Sequence, residues 1–408
     1  MLGWSRHKGG LGFLVVALTL AGVGPAGAED RISLRGTYFR EASTRVVQPM
    51  VEGRFELPKG YDVNAHALVD AISSASIAQG AATDEIFHEN RYEAGLAVGR
   101  TFAGTNNATR VGAFFRYSHE PDYVSYSGGL SLTRDVLDKT GTIGLSAAVS
   151  HDDIEPNPPL DPRKLDVVFA GISYAQALTP TTLVQGGYEF FYFDGAYCNP
   201  YISHPDLGRE KCPEVRIRHA LGFKVAQYLP RLRLGAQLHY RFYFDQGAFG
   251  AIDPWGMTAH TIEPRLYKTL GEHFEVRLSY RFHWQGDASF WCNARPDNGG
   301  QLGCYTRRAD PSAPIMTPKY HSWDPKFGSL TTHFPEVKLM WDLRVLSRLP
   351  ALTFLAAGTL DLSYGYYFQS TPYGQKFTDK TAPPVIGWGF TRDHGGAHIM
   401  QTGFTLPF

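Results

Sequence analysis

Several features that the chain lacks set the first limits on its fold. After residue 28 there is no run of about 18 apolar residues, so no transmembrane helix can form there. Charge of one sign is not in excess either, since the 408 residues include 39 basic and 39 acidic ones. A balanced charge offers no basic surface for nucleic acid. The sequence therefore argues against a helical membrane protein and against nucleic acid as a partner.

Motifs that would signal catalysis or a cofactor are also missing. The chain has no G-x-S-x-G, no phosphate-binding glycine loop, no C-x-x-C-H for haem attachment and no calcium loop. It is too short for the twenty-two strands and plug domain of a siderophore receptor. We expect no cofactor and no resident metal, and an enzyme is the less favoured class.

Residues 1–28 have the features of a cleaved export signal. Arg6 and Lys8 supply a positive region, 11–23 an apolar core, and 26–28 a cleavage site of small residues. The alternative is a membrane anchor, which the short apolar core disfavours. The mature chain is then expected to begin at Glu29 and to form a single domain over 29–408.

Alternation of apolar and polar residues dominates the rest of the chain. Within 231–246, for example, Leu238 and Tyr240 share one face of an extended strand, while His239 and Arg241 lie on the other. The same period predicts sixteen strands. They are placed at 31–40, 44–57, 61–68, 86–103, 108–119, 122–135, 140–151, 164–178, 181–194, 215–229, 231–246, 255–270, 272–287, 328–346, 351–369 and 396–408.

Alternation alone would also fit a soluble β-sandwich, but three features favour a membrane barrel. The strands exceed the usual five or six residues, and the breaks between them alternate between short and mostly long. Aromatic residues cluster where strands enter the long breaks, as they do at a membrane interface. The sequence therefore predicts an all-β fold, a transmembrane antiparallel up-and-down β-barrel of about 16 strands.

The four cysteines form two close pairs, Cys198 with Cys212 and Cys292 with Cys304. Each pair lies in a long break rich in Pro, Gly and Asn, and the short separation favours one disulfide within each segment. The alternative is a four-cysteine metal site, but the spacing is not C-x-x-C. Two disulfide-closed outer loops are expected.

The last strand, 396–408, reads G-A-H-I-M-Q-T-G-F-T-L-P-F and has Phe404, Leu406 and Phe408 on one face. It resembles the terminal strand of bacterial outer-membrane β-barrels, which alternates in this way and ends in Phe. The resemblance implies an outer-membrane location and recognition by the barrel-assembly machinery. These three residues would form the assembly signal.

Two segments of the N-terminal third resemble a family of bacterial envelope proteins that is catalogued as a domain of unknown function. They are Gly60–Ser76, G-Y-D-V-N-A-H-A-L-V-D-A-I-S-S-A-S, and Glu89–Leu96, E-N-R-Y-E-A-G-L. The resemblance implies an outer-membrane location and no established activity, so no functional residue follows from it.

One group at a predicted strand end suggests an enzyme. His151, Asp152 and Asp153 are similar to the acid and imidazole groups of outer-membrane proteases. A partner would have to come from another part of the rim, from His204, Asp206, Asp393 or His394. Ordinary polar loop residues are the simpler interpretation, because no further protease motif is visible.

The face opposite the apolar one would line the lumen of the barrel. On the strands from 215 to 346 it carries eleven basic and five acidic residues. Either these charges pair across strands, or unpaired guanidinium groups raise the local concentration of anions. The predicted charge patch consists of Arg233, Arg241, Arg277, Arg281 and Glu275.

These patterns favour a channel or an export conduit for a small polar solute or polymer. Two alternatives stay open: an outer-membrane hydrolase with an active site at the rim, and a structural barrel whose loops dock a partner. The expected partners are outer-membrane lipid, the barrel-assembly machinery and a periplasmic protein at the short turns.

Overall fold

The computed structural model describes most of the chain after residue 29. The described residues are 30–41, 44–75, 86–156, 161–200, 203–204, 208–246, 255–291, 319–322, 324–370 and 396–408. None of the helices in these ranges is long and apolar enough to cross a membrane. The expected export signal, 1–28, lies outside the described residues.

Eighteen strands make up almost all of the regular structure. They are β1 Arg31–Arg40, β2 Thr44–Leu57, β3 Tyr61–Ala75, β4 Ile86–Ala103, β5 Ala108–Glu120, β6 Tyr123–Val136, β7 Gly141–Ile154, β8 Arg163–Thr179, β9 Thr182–Gly195, β10 Ser203–His204, β11 Gly208–Arg209, β12 Val215–Leu229, β13 Leu234–Asp245, β14 Thr258–Leu270, β15 Phe274–Gln285, β16 Leu330–Asp342, β17 Thr359–Ser370 and β18 Gly396–Pro407. Short 3-10 helices occur at Pro58–Gly60, Pro230–Leu232, Pro325–Phe327, Leu343–Arg348 and Pro350–Leu355.

Sixteen of the strands close into one antiparallel barrel, and β10 pairs only with β11. The seam, where β1 meets β18, runs from Arg31 opposite Pro407 to Arg40 opposite His398. A closed sheet leaves no unpaired strand edge, which is what a sheet surrounded by lipid requires. The prediction of a sixteen-stranded up-and-down barrel is confirmed.

The strand expected at 61–68 was too short, since β3 continues to Ala75. At three other boundaries, helical turns replace the ends of extended segments. The strand expected at 231–246 begins at Leu234, after the helix Pro230–Leu232. The strand expected at 328–346 ends at Asp342, and the one expected at 351–369 begins at Thr359. Residues 343–358 instead contain two successive 3-10 helices. A 3-10 helix has about three residues per turn, so its apolar residues can recur at a spacing that resembles the alternation of a strand.

The two ends of the barrel differ in their connections. The short-turn rim is formed by 58–60, 104–107, 137–140, 180–181, 230–233, 271–273 and 343–358. The long-loop rim carries the other connections, which include the long ones predicted from the sequence. Asp30, the first described residue, and Phe408 lie at the short-turn rim, where the backbone N–H of Phe408 donates to the carbonyl of Asp30 at 2.8 Å.

The outer face of the barrel is apolar and is not covered by protein. Leu130 is 64% exposed, Val149 60% and Phe115 53%. An exposed apolar surface that encircles the molecule indicates contact with lipid, because a soluble monomer rarely exposes a contiguous patch of this size. At the short-turn rim this band ends in aromatic pairs such as Phe274 with Trp341, whose ring centroids are 5.7 Å apart.

A compact cluster, the loop core, lies at the long-loop rim on one side of the barrel. It consists of Trp255, Met257, Ala288, Phe290 and Phe327. These residues come from the segments that connect β13 to β14 and β15 to β16. Tyr197 and Cys212, from the segment between β9 and β12, pack against them. Three outer connections thus share one hydrophobic core.

Candidate functional site

The lumen is the candidate site, because its inward side chains are charged where the outward ones are apolar. Two parts of its lining carry most of the inward carboxylates, and they are separated by β8 on one side and by β18, β1 and β2 on the other. The acidic wall comprises the inward faces of β3–β7 and the turn after β5, and carries Asp62, Asp70, Glu89, Glu93, Glu120, Asp122, Asp135 and Asp152 with Arg91, Arg110 and Arg116. The mixed wall comprises the inward faces of β9 and β12–β17 below the loop core, and carries Glu189, Glu263, Glu275, Glu336 and Asp361 with Lys224, Arg241, Arg265, Arg277, Arg281 and Lys338.

Arginines hold the acidic wall together from strand to strand. Arg110 donates to both carboxylate oxygens of Asp62, at 2.6 and 3.0 Å. Arg91 donates to Asp70 at 2.6 Å. Glu93 lies 3.3 Å from His66 and 3.6 Å from Arg116. Bidentate and charge-assisted contacts of this kind stabilise carboxylates that are removed from water.

Three carboxylates of the acidic wall meet near the long-loop rim. Glu89, Glu120 and Asp122 are buried, and each offers an oxygen within 4.8 Å of the others. Arg91 approaches this group, with Nε 4.0 Å from Glu120. In the part of the chain that the structure describes, this is the one group of three acidic, histidine or cysteine side chains close enough to share a cation.

Ion pairs also link the strands of the mixed wall. Arg241 donates to Glu189 at 2.9 Å, and Lys338 lies 2.6 Å from Asp361. Glu263 accepts from Arg265 at 2.6 Å and from Arg281 at 2.8 Å. A further pair joins Arg277 to Glu336.

In every one of these pairs the basic side chain is more exposed than its acidic partner. The side chain of Arg281 is 51% exposed against 11% for Glu263. That of Arg241 is 45% exposed against 32% for Glu189. The mixed wall therefore presents guanidinium groups to the lumen and keeps their carboxylate partners nearer the sheet.

The structure places four of the five residues of the predicted charge patch on this wall. Arg241, Arg277, Arg281 and Glu275 are inward. Arg233 is not, because it follows the helix Pro230–Leu232 in a left-handed conformation, with φ of 48°, at the short-turn rim. It therefore belongs to a turn and does not line the sheet.

The predicted excess of eleven basic over five acidic inward residues is wrong. Arg231, Arg233 and Arg344 lie in turns, and Arg344 pairs with Asp342 at 2.6 Å. The strands that flank this region also carry inward acidic residues, since Glu189 on β9 pairs with Arg241 and Asp361 on β17 pairs with Lys338. Extending the same alternation to the flanking strands would have found both.

Above the mixed wall, Arg216 joins the barrel to the loop core. It donates to Asp245 at 2.9 and 3.1 Å, and both side chains are fully buried. Its guanidinium lies 4.0 Å from the ring centroid of Trp255, whose Nε1 donates to the carbonyl of Val215 at 2.9 Å. A cation against an aromatic face stabilises a buried arginine. The sequence marked Arg216 only as one of many inward charges.

The first predicted disulfide, Cys198–Cys212, is confirmed, with the two Cα atoms 5.5 Å apart. It closes the segment that packs against the loop core. The second pair, Cys292 and Cys304, lies outside the described residues and stays a prediction.

The rim residues considered for catalysis do not converge. His151 and Asp153 face outward, with His151 2.6 Å from Asp166 on β8, whereas Asp152 faces inward and accepts from Tyr123 at 2.5 Å. Alternation along a strand places neighbours on opposite faces, so the triplet cannot act as one site. The side chains of the proposed partners, His204, Asp206, Asp393 and His394, lie outside the described residues.

The terminal residues face lipid at the short-turn rim. Phe404 and Leu406 are outward on β18, opposite Leu34 and Ile32 of β1. The ring of Phe408 lies 6.2 Å from that of Phe55. Their role as an assembly signal stays a prediction.

Together, closure, the apolar outer band and the charged lumen define a transmembrane β-barrel of the kind found in bacterial outer membranes. Residues 163–371 match the family described as "Protein of unknown function (DUF3570)", and the chain belongs to that family. The resemblance to a family of unknown function is thus confirmed. The match lies in β8–β17, however, and not in the N-terminal segments from which the resemblance was noted.

Solved barrels are similar to the chain only distantly. OccD3 from Pseudomonas aeruginosa is 10% identical, with a TM-score of 0.41, over 93% of this chain and 91% of that one. CdiB from Acinetobacter baumannii is 9% identical, with a TM-score of 0.46 and coverages of 93% and 60%. The siderophore receptor PirA from P. aeruginosa is 14% identical, with a TM-score of 0.39 and coverages of 84% and 56%. The chain thus spans under two thirds of the last two proteins, and no curated protein matches it.

Proposed function

We propose that this protein is an outer-membrane channel that passes small polar solutes along the mixed wall and favours anions. The observation that carries the proposal is the unequal exposure within the ion pairs of that wall. Arg241 and Arg281 reach into the lumen, while Glu189 and Glu263 are held closer to the sheet. A solute that moves past the wall would meet the basic member of each pair first.

Selectivity then follows from geometry and not from net charge. The potential near a pair of opposite charges is dominated by the closer one, so exposed guanidinium groups raise the local anion concentration even when each has a carboxylate behind it. The two charges of a pair largely cancel at distances greater than their separation, and salt screens them further over a Debye length of about 8–10 Å. The preference is therefore expected to be moderate and to weaken at high salt.

The proposed location requires export across the inner membrane, which residues 1–28 would direct. The outer-membrane placement is supported by strand length and by the lipid-facing band, because barrels of this kind are built for that membrane. Fractionation of cells that express the full chain would test the location separately from conduction.

Conductance across a planar bilayer with a salt gradient tests the function. The wild-type barrel should give a reversal potential of anion-preferring sign. Replacing the two most exposed arginines, in the double variant Arg241→Gln with Arg281→Gln, should remove about half of that preference or more, since each substitution deletes a full lumen charge. Arg233→Gln, which removes an equal charge at the short-turn rim, is the matched control and should leave the potential unchanged.

Two outcomes would contradict the proposal: a cation-preferring wild type, or no conductance in a barrel that is folded by gel mobility. The second outcome would favour the docking alternative, in which the loop core receives a partner. The hydrolase alternative has no support from the described rim residues, since His151 and Asp152 lie on opposite faces.

A further inference from the structure

Three basic side chains come together on the outer face at the seam. Arg40 ends β1, Arg45 lies near the start of β2 and His398 lies near the start of β18. Arg40 is directly opposite Arg45 on one side and His398 on the other. All three are exposed at the long-loop rim. Arg40 and Arg45 face each other across the β1–β2 hairpin, whereas His398 is distant in sequence and is their neighbour only because the barrel closes there.

Neither arginine of this seam site has an acidic partner within the described residues. Like charges directly opposite each other on neighbouring strands destabilise the pair. The outward acidic residues of the described barrel strands lie elsewhere, on β7, β8 and β9, where they are Asp153, Asp166 and Asp194. Among the described residues no ion pair joins either guanidinium group to a carboxylate, and an external anion would neutralise them.

The height of the site follows from a row of outward histidines, the histidine belt: His219, His260, His333 and His398, on β12, β14, β16 and β18. Each lies nine or ten residues from the end of its strand at the short-turn rim. With a rise of about 3.3 Å per residue and a tilt of 35–45°, ten residues span about 25 Å, the height of the apolar band of such barrels. The belt and the seam site therefore lie where hydrocarbon meets headgroups.

Every histidine of the belt is held in the same way. The hydroxyls of Tyr188, Tyr240, Tyr280 and Tyr364 bond to Nδ1 of His219, His260, His333 and His398 at 2.7, 2.8, 2.6 and 2.9 Å. With the hydroxyl donating to Nδ1, the neutral ring carries its proton on Nε2. Nε2 of His398 forms no hydrogen bond among the described residues, so it offers a donor beside Arg40.

We propose that the seam site binds the phosphate of a phosphorylated lipid headgroup in the outer leaflet. Arg40 and Arg45 supply paired charge-assisted donors, and His398 supplies a third, fixed by Tyr364. The exposed apolar surface below the site, which includes Leu34 and Met400, receives the acyl chains. The inference uses the proposed outer-membrane location but does not depend on conduction.

Lipid retention on the purified full-length barrel in a neutral detergent tests the site. The probe is bisphosphorylated lipid A, compared with the same lipid after removal of its phosphates, and retention is counted by native mass spectrometry. The wild type should retain the phosphorylated form. Arg40→Gln with Arg45→Gln should bind it at least about tenfold more weakly, since a hydrogen bond to a charged group contributes enough for that factor.

Matched variants separate a site from general basicity. Arg134→Gln removes an exposed outward arginine near the opposite rim and should leave retention unchanged. His398→Gln, which keeps an N–H donor, should bind more tightly than His398→Phe. Heat-modifiable mobility on a gel confirms that each variant is a closed barrel.

Three results would overturn the inference. The first is equal retention of the two lipids by the wild type. The second is equal loss of binding in the Arg134 variant. The third is complete displacement of lipid by millimolar inorganic phosphate, which would indicate a site for a free anion. Each can be read whether or not the barrel conducts, so failure here is distinct from failure of the proposed channel.

Discussion

The two walls of the lumen are both charged, yet they use charge differently. On the acidic wall the carboxylates outnumber the guanidinium groups, and most are buried, as Asp70, Glu89 and Glu120 are. On the mixed wall the numbers are nearly equal, and Arg241 and Arg281 are exposed, whereas Arg265 and Arg277 are half-buried. Comparing the two shows that the sign of an inward residue is a poor guide to what a solute meets. Exposure decides which charges act on the lumen and which stabilise the sheet.

The comparison predicts that removing an arginine destabilises the barrel much more on the acidic wall than on the mixed wall. Arg91→Ala would strip Asp70 of its donor and remove the guanidinium group that lies 4.0 Å from Glu120. Breaking a buried pair in this way costs about 3–5 kcal/mol of unfolding free energy. Arg241→Ala, on the mixed wall, should cost only about 0–1 kcal/mol, because exposed pairs contribute little.

Denaturant unfolding of both variants in lipid vesicles, followed by tryptophan fluorescence, gives the two free energies. If Arg91→Ala were as stable as Arg241→Ala, the acidic wall could not be a structural network, and the distinction between the walls would fail.

A smaller effect is expected from adding one methyl group to each wall. A Cβ at Gly99 would overlap the guanidinium of Arg110 and the carboxylate of Asp62, whereas a Cβ at Gly222 meets nothing within 4 Å. Gly99→Ala should therefore cost about 1–3 kcal/mol through overpacking. Gly222→Ala, the control on the mixed wall, should stay within about 0.5 kcal/mol of the wild type.

The same unfolding measurement applies to this pair. If the two variants were equally stable, the side chains of Asp62 and Arg110 could move aside at little cost in free energy. The acidic wall would then be no more tightly packed than the mixed one.

The smallest effect on stability is expected at the terminus, away from both walls. Deleting Phe408 removes its ring contact with Phe55, which contributes about 1 kcal/mol or less at this exposed position. Phe55→Ala removes the same contact and keeps the terminal aromatic. If Phe408 serves as an assembly signal, only its deletion should slow insertion, as measured by the rate at which heat-modifiable barrel accumulates in the outer membrane.

If both variants insert equally slowly, the slower insertion results from loss of the Phe55–Phe408 ring contact and not from loss of a terminal signal. Insertion at the wild-type rate without Phe408 would contradict the assembly role.

Much of this architecture could be predicted from the sequence, because it depends on a local rule. Residues such as Leu238, Tyr240 and Phe242 alternate with polar ones, and that period alone marks strands and their outward faces. The strands at 31–40, 44–57, 86–103 and 215–229 were predicted to the residue. The largest errors fell at 61–68, where the strand continues to Ala75, and at 343–358, where helical turns follow a strand without a break in apolar pattern.

The site was predicted less well, because it depends on pairs of strands. Glu263 is shared by Arg265 on its own strand and Arg281 on the next, and Glu189 accepts from Arg241 two strands away. The seam site needs residues 40 and 398 to be neighbours. An alternating pattern gives the face of each residue but not its cross-strand partner, since partner choice requires the register.

By itself, the sequence determined a lipid-facing barrel of sixteen strands, with a disulfide at Cys198–Cys212 in one of its outer loops. Strand period, turn length and cysteine spacing are properties of short segments, so no distant contact is needed to read them. Only the tertiary structure decided which inward charges are buried, which arginines reach the lumen and which basic groups meet at the seam. Register and barrel closure set the distances between charges, and those distances fix the energy of each pair.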